Sequence, residues 1–116
     1  MRRPLLGLLM VTVVAGCQAQ PSTEQMLVSS AGPERMRAVV RLARQNRWDN
    51  IPIFIRNLQD EDVSVRMAAL SALRDQTGAD MGFRPADPPE VREAAVSKWQ
   101  QWWDSRGRQG PQAKPR

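Results

Sequence analysis

Residues 51–78 read IPIFIRNLQDEDVSVRMAALSALRDQTG, and this stretch decides the fold. Ile51, Ile55 and Leu58 recur at the spacing of one helix face, with Phe54 beside them. Pro52 falls in a first turn, where its missing N–H breaks no bond, and Asp49 or Asn50 is the expected cap. This helix is expected to run to about Gln59. Asp60, Glu61 and Asp62 then form a turn whose charges suit the positive end of a following helix dipole. Val65, Ala68, Ala69, Ala72 and Leu73 make a second apolar stripe from about Val63 to Gln76. Three of those five are alanine, so a neighbouring helix can approach closely. Thr77-Gly78 ends the segment, with glycine supplying a left-handed cap.

Two further helices flank this pair. Over 33–47, Pro33 opens a helix whose expected stripe is Met36, Val39, Val40 and Ala43. Arg37, Arg41 and Arg44 share a neighbouring face, either simply solvated or a contact for anionic lipid phosphates or an acidic partner. Over 89–105, Asp87, Pro88, Pro89 and Glu90 read as a capped helix start. Val91, Ala94, Ala95, Trp99 and Trp102 form its expected inner face. Trp103 stands at the edge, and is read as core, as an interface anchor or as a residue at a membrane surface. The loop between carries Met81 and Phe83, expected to fold back onto the core.

Three segments share a form: Met36-Arg37-x-Val39-Val40, Val65-Arg66-x-Ala68-Ala69 and Val91-Arg92-x-Ala94-Ala95. Helical units recurring at such intervals mean stacked helices. Residues 50–78 resemble a HEAT repeat, with proline in the first helix, an Asp-rich turn, and Val-Arg-x-x-Ala in the second. The resemblance implies an all-α fold: a short α-α hairpin repeat, an armadillo-type superhelix fragment of about four helices. It implies that Asp60 or Asp62 and Arg66 bond between repeats. Helix 33–47 takes the place of a second helix of an incomplete repeat. Whether helix 89–105 is a first or second repeat helix stays open.

The N-terminus carries an address. Arg2 and Arg3 precede an apolar run, Leu5 to Gly16, of signal-peptide length and too short to span about 30 Å of hydrocarbon. It ends Val13-Val14-Ala15-Gly16-Cys17, which resembles the lipobox of bacterial lipoproteins. That resemblance implies acylation of Cys17 and cleavage just before it. Gln18, where an Asp would signal inner-membrane retention, fits sorting to the outer membrane. The expected organisation is therefore a signal peptide at 1–16, a flexible tether at 17–32, a helical domain at 33–106 and a disordered tail at 107–116.

Loss of Arg2 and Arg3 leaves fifteen basic against twelve acidic residues, a net +3 rather than the +5 of the whole chain. An exported chain with that balance gives little reason to expect nucleic acid. The chain has no His, and its one Cys is committed to lipid. That removes the usual bases, nucleophile–base pairs and zinc ligands, and the acidic turn lacks the glycine of a calcium loop. No cofactor, metal or small-molecule substrate is expected. The readings are a non-catalytic protein-binding module on a lipid anchor, or a self-associating structural component of the envelope.

Overall fold

The computed structural model describes residues 16, 17 and 19–113. Apart from Gly16, the signal segment lies outside the described residues. Among those described there are five α-helices and no strands: α1 (Thr23–Leu27), α2 (Gly32–Arg44), α3 (Ile51–Asn57), α4 (Val63–Thr77) and α5 (Pro89–Ser105). Short 3-10 turns precede α3 and follow α5.

The central hairpin forms as its sequence implies. Ile51, Phe54, Ile55 and Leu58 are buried on α3, facing Val65, Ala69, Ala72 and Leu73 of α4. Asp62 caps α4, its carboxylate accepting the Ser64 N–H at 2.8 Å. Gly78, at φ 78°, ends the helix in the left-handed region and donates to the Arg74 carbonyl at 2.8 Å. The caps expected before α3 and α5 do not form. Asn50 turns inward instead, donating to the Leu42 carbonyl and the Gln45 side chain, both at 3.2 Å. Asp87 offers only its backbone carbonyl, to Arg92.

The expected tether is largely folded. Ser22 accepts the Gln25 N–H at 3.2 Å, while the Gln25 side chain accepts the Ser22 N–H at 2.9 Å. This capping box starts α1, which lies against α2 and buries Met26. Five residues, 18–22, are left between Cys17 and the first helix. The chain after α5 is also engaged. Gly107 is buried, and a Cβ there would meet the Trp103 ring at 2.5 Å. Its carbonyl accepts the Trp48 indole N–H at 2.7 Å. Met81 is partly buried and Phe83 fully, as expected of the loop.

Stacking follows from these contacts. α1 pairs with α2 and α3 with α4, and α2 lies along α4. The start of α2 meets the residues just before α4, so these two second helices run parallel: Arg35 bonds Asp60, and Gly32 abuts Asp62 too closely for any Cβ. α5 packs on α3 and runs against it. Its end brings Trp102 edge-on to Trp48, at 5.9 Å and 77°, ahead of α3; its start shares a cleft with Leu58 and Gln59 at the end of α3. It thus has the direction of a second helix but covers a first one, and it closes the stack.

Burial corrects two expected stripes. On α2 the inward residues are Arg35, Ala38, Val39 and Leu42; Met36 and Ala43 are only partly covered, and Val40 is exposed. On α5 they are Ala95, Val96, Trp99, Trp102 and Trp103, while Val91 and Ala94 face solvent. The structural repeat is therefore Arg-x-x-Ala-φ-x-x-φ, where φ is a large apolar residue. It runs through Arg35, Ala38, Val39, Leu42; through Arg66, Ala69, Leu70, Leu73; and through Arg92, Ala95, Val96, Trp99. Arg35, not Arg37, is the counterpart of Arg66.

Candidate functional site

Those arginines hold the turns together. Arg66 donates from Nη1 to the carbonyls of Asp60 and Glu61, at 2.8 and 2.9 Å, gathering the turn before its own helix. Its Nε reaches forward to the Pro85 carbonyl at 3.0 Å. Arg35 repeats the arrangement one unit earlier, donating back to the Ser29 carbonyl at 2.8 Å. Forward, its Nε and Nη2 grip both oxygens of the Asp60 carboxylate, at 2.9 and 3.0 Å. Arg92 donates back to the Asp87 carbonyl at 2.9 Å.

The bonding that the resemblance implied is thus redistributed. Arg66 takes backbone carbonyls instead of a carboxylate. Asp60 crosses to Arg35, and Asp62 caps its own helix. Burial pushes the Asp60 carboxyl up, but the Arg35 fork, the Asp62 N–H and the charges of Arg35 and Arg66 outweigh it. The group is held below the usual carboxylate value. The Arg35 guanidinium is raised, chiefly by its bond to Asp60. Arg66 is lowered, by burial first and then by the nearby charge of Arg92. These arginines are structural, and Arg35 is the one the sequence reading missed. Two arginines alternate in Glu34-Arg35-Met36-Arg37, and only contact with the next turn selects between them.

The surface lies on the two outer flanks of the α2–α4 pair. Arg37, Arg41 and Arg44 are exposed along α2, and among the described residues none is ion-paired. In the repeat register, Arg37 and Arg41 correspond to Ala68 and Ala72 of α4, which are partly and fully buried. In α4 that flank is packed into the core of the domain. In α2 the same flank has no helix on it and is lined with guanidinium groups.

The opposite flank of α4 opens on a groove with an apolar floor and a polar rim. Met67, at 58% exposure, and Leu70 line a groove with Phe83 and Pro85 from the following loop. Ser71, Arg74, Asp75 and Arg84 form its rim, and the space measures about 360 Å³. Met67 and Leu70 are the counterparts, in the repeat register, of Met36 and Val39 on α2. The rim is set by Asp80, whose carboxylate takes Arg74 at 2.9 Å and the Gly82 N–H at 2.9 Å. The Gly82 bond, then the Arg74 one, hold this carboxyl below its usual value.

Trp103 does not belong to either surface. It is buried, tilted at 60° to Trp102 with centroids 6.1 Å apart, and covered by Gly107. Its expected use as an interface anchor is therefore excluded, because the chain after α5 folds over it. Cys17 is exposed and outside any helix.

Comparison with known proteins finds a HEAT repeat at residues 51–75, spanning α3 and most of α4. It also finds a prokaryotic membrane lipoprotein lipid attachment site at residues 1–18, ending one residue past Cys17. No curated protein and no solved structure matches the chain. The chain therefore combines lipid-anchored membrane association with a short helical repeat. No helix among the described residues is long and apolar enough to cross a membrane.

Proposed function

We propose that the protein is a non-catalytic binding module that presents the α4 groove to another protein of the cell envelope, with acylated Cys17 holding it at the membrane. One observation carries this reading. Met67, the register counterpart of the half-buried Met36 on α2, is 58% exposed and opens on a groove floored by the buried Leu70 and Phe83. A helix of the partner with small residues at three- and four-residue spacing fits there as the Val65, Ala68, Ala72 side of α4 fits α2. The absence of His from the chain and the commitment of its Cys to lipid support a role without covalent chemistry.

The test is a photo-crosslinking amino acid at Ser71, on the groove rim, in cells. One dominant adduct is expected, and it should vanish when Met67→Asp is added. A crosslinker at Arg56, exposed on α3, serves as control. Adducts of equal strength from both positions would overturn the reading. Self-association by head-to-tail stacking is disfavoured, because the flank a second copy would offer to the groove is the arginine row. Sedimentation of the mature chain should accordingly give a monomer.

A further inference from the structure

We propose that the arginine row of α2 is a docking face for the anionic lipid headgroups of the membrane to which the chain is tethered. Three observations meet here. First, Arg37, Arg41 and Arg44 lie at i, i+4 and i+7, so they form one line along a single helix, exposed and without a carboxylate partner among the described residues. Second, Arg37 and Arg41 replace the small residues Ala68 and Ala72 of α4, so this flank is built for charge and not for a further helix. Third, the row lies at the end of the stack where the lipid enters. α1 and α2 form the first unit, and residues 18–22 are all that separate Cys17 from Thr23.

The short link is what makes the row reach the bilayer. Five residues span at most about 17 Å when fully extended, whereas a free tether through residue 32 would allow roughly three times that reach. Charge attraction to a membrane surface decays over a Debye length of about 8–10 Å. A domain on five residues therefore meets the headgroups repeatedly, and three guanidinium groups favour contact by the face that carries them. The acids at this end are Glu24, exposed on α1, and Glu34, which accepts the Ser29 hydroxyl. Asp60 and Glu61 are occupied by Arg35. The three arginines stand against two carboxylates without a basic partner, Glu24 and Glu34, so this end keeps a net positive charge concentrated in the row. The inference rests on the lipid anchor and not on the protein-binding reading, since the groove lies on the other flank.

Vesicle sedimentation tests it, using the full mature chain with Cys17→Ser so that acylation does not mask the headgroup term. At about 50 mM salt the chain should bind vesicles of 30% phosphatidylglycerol in phosphatidylcholine, and should bind pure phosphatidylcholine far more weakly. The triple variant R37Q/R41Q/R44Q should lose binding on the order of a hundredfold. The triple lysine variant R37K/R41K/R44K should keep it, because attraction to headgroups needs the charge and not the guanidinium fork. Circular dichroism of each variant confirms the fold. Equal binding to both vesicle types, or wild-type binding by the glutamine variant, overturns the proposal. So does capture of a polyglutamate peptide by the same arginines with no vesicle binding, which would assign the row to an acidic protein. Met67→Asp should leave vesicle binding unchanged, so failure here and failure of the groove reading are told apart.

Discussion

The two outer flanks of the α2–α4 pair occupy comparable positions in one stack and carry opposite chemistry. On the α2 side the register places Arg37 and Arg41 where α4 has Ala68 and Ala72. On the α4 side it places Met67 and Leu70 where α2 has Met36 and Val39. A solenoid must end somewhere, and an end that keeps its stacking residues invites another helix. The first end is sealed by charge. The second keeps its apolar residues and is half filled by Phe83 and Pro85. The difference separates an end lined with charge from an end that keeps an exposed apolar residue, Met67.

The comparison is broken most severely by exchanging the flanks. Ala72→Arg puts into α4 the residue that α2 carries at Arg41, at a position only 2% exposed. We expect a loss of about 4 kcal/mol or more, read as failure to unfold cooperatively in urea, because α2 cannot then lie along α4. If Ala72→Arg melts like the wild type, the register is wrong.

Asp60→Asn tests the bond that joins the two units. It leaves the Arg35 fork only the exposed Glu61 at 3.5 Å as a charged acceptor, and the melting temperature should fall by on the order of 10 °C. The wild type should also show an acid limb. The Asp60 carboxyl is held below its ordinary 3.8 in the folded chain, so its contribution is complete above that value and is lost as pH falls through the lower folded value. In the Asp60→Asn variant that part of the acid limb should be absent when melting is followed from about pH 6 to about pH 2.

Gly107→Ala should destabilise by about 1–3 kcal/mol, because its Cβ enters the Trp103 ring. Trp fluorescence during urea unfolding reads it, and no change would return 107–116 to the free tail expected from composition. The smallest effect sharpens the contrast. R37A/R41A should change stability by no more than about 0.5 kcal/mol, since both residues are exposed, yet should produce concentration-dependent association in sedimentation. An alanine-lined first end would resemble the surface that α4 offers to α2. A variant that stays monomeric would mean that charge is not what ends the stack.

The helix spans of the central hairpin were readable because local signals agree there: Pro52 early, Asp62 as cap, Gly78 at the end. The capping box of α1 was also present in the chain as Ser22-Thr23-Glu24-Gln25, but a polar composition hid it. Arg37, Arg41 and Arg44 were legible as a face from spacing alone. Trp103 was not, since Trp99, Trp102 and Trp103 look alike until a fold-back of Gly107 covers the third. Arg35 was lost for a related reason: a buried arginine is stable only where acceptors meet all its donors, and those acceptors come from residues 29 and 60.

Sequence alone determined the helical class, the α3–α4 hairpin, the lipid address at Cys17 and the basic row on α2. Each rests on residues within a turn or two of one another, or on a linear signal that is read without folding. Tertiary structure decided which arginine of α2 points inward, which tryptophan is covered, how short the link to the lipid is, and which flank stays open. Those outcomes depend on contacts between residues far apart in the chain, and one-residue shifts in helix rotation, invisible to periodicity, are enough to reverse them.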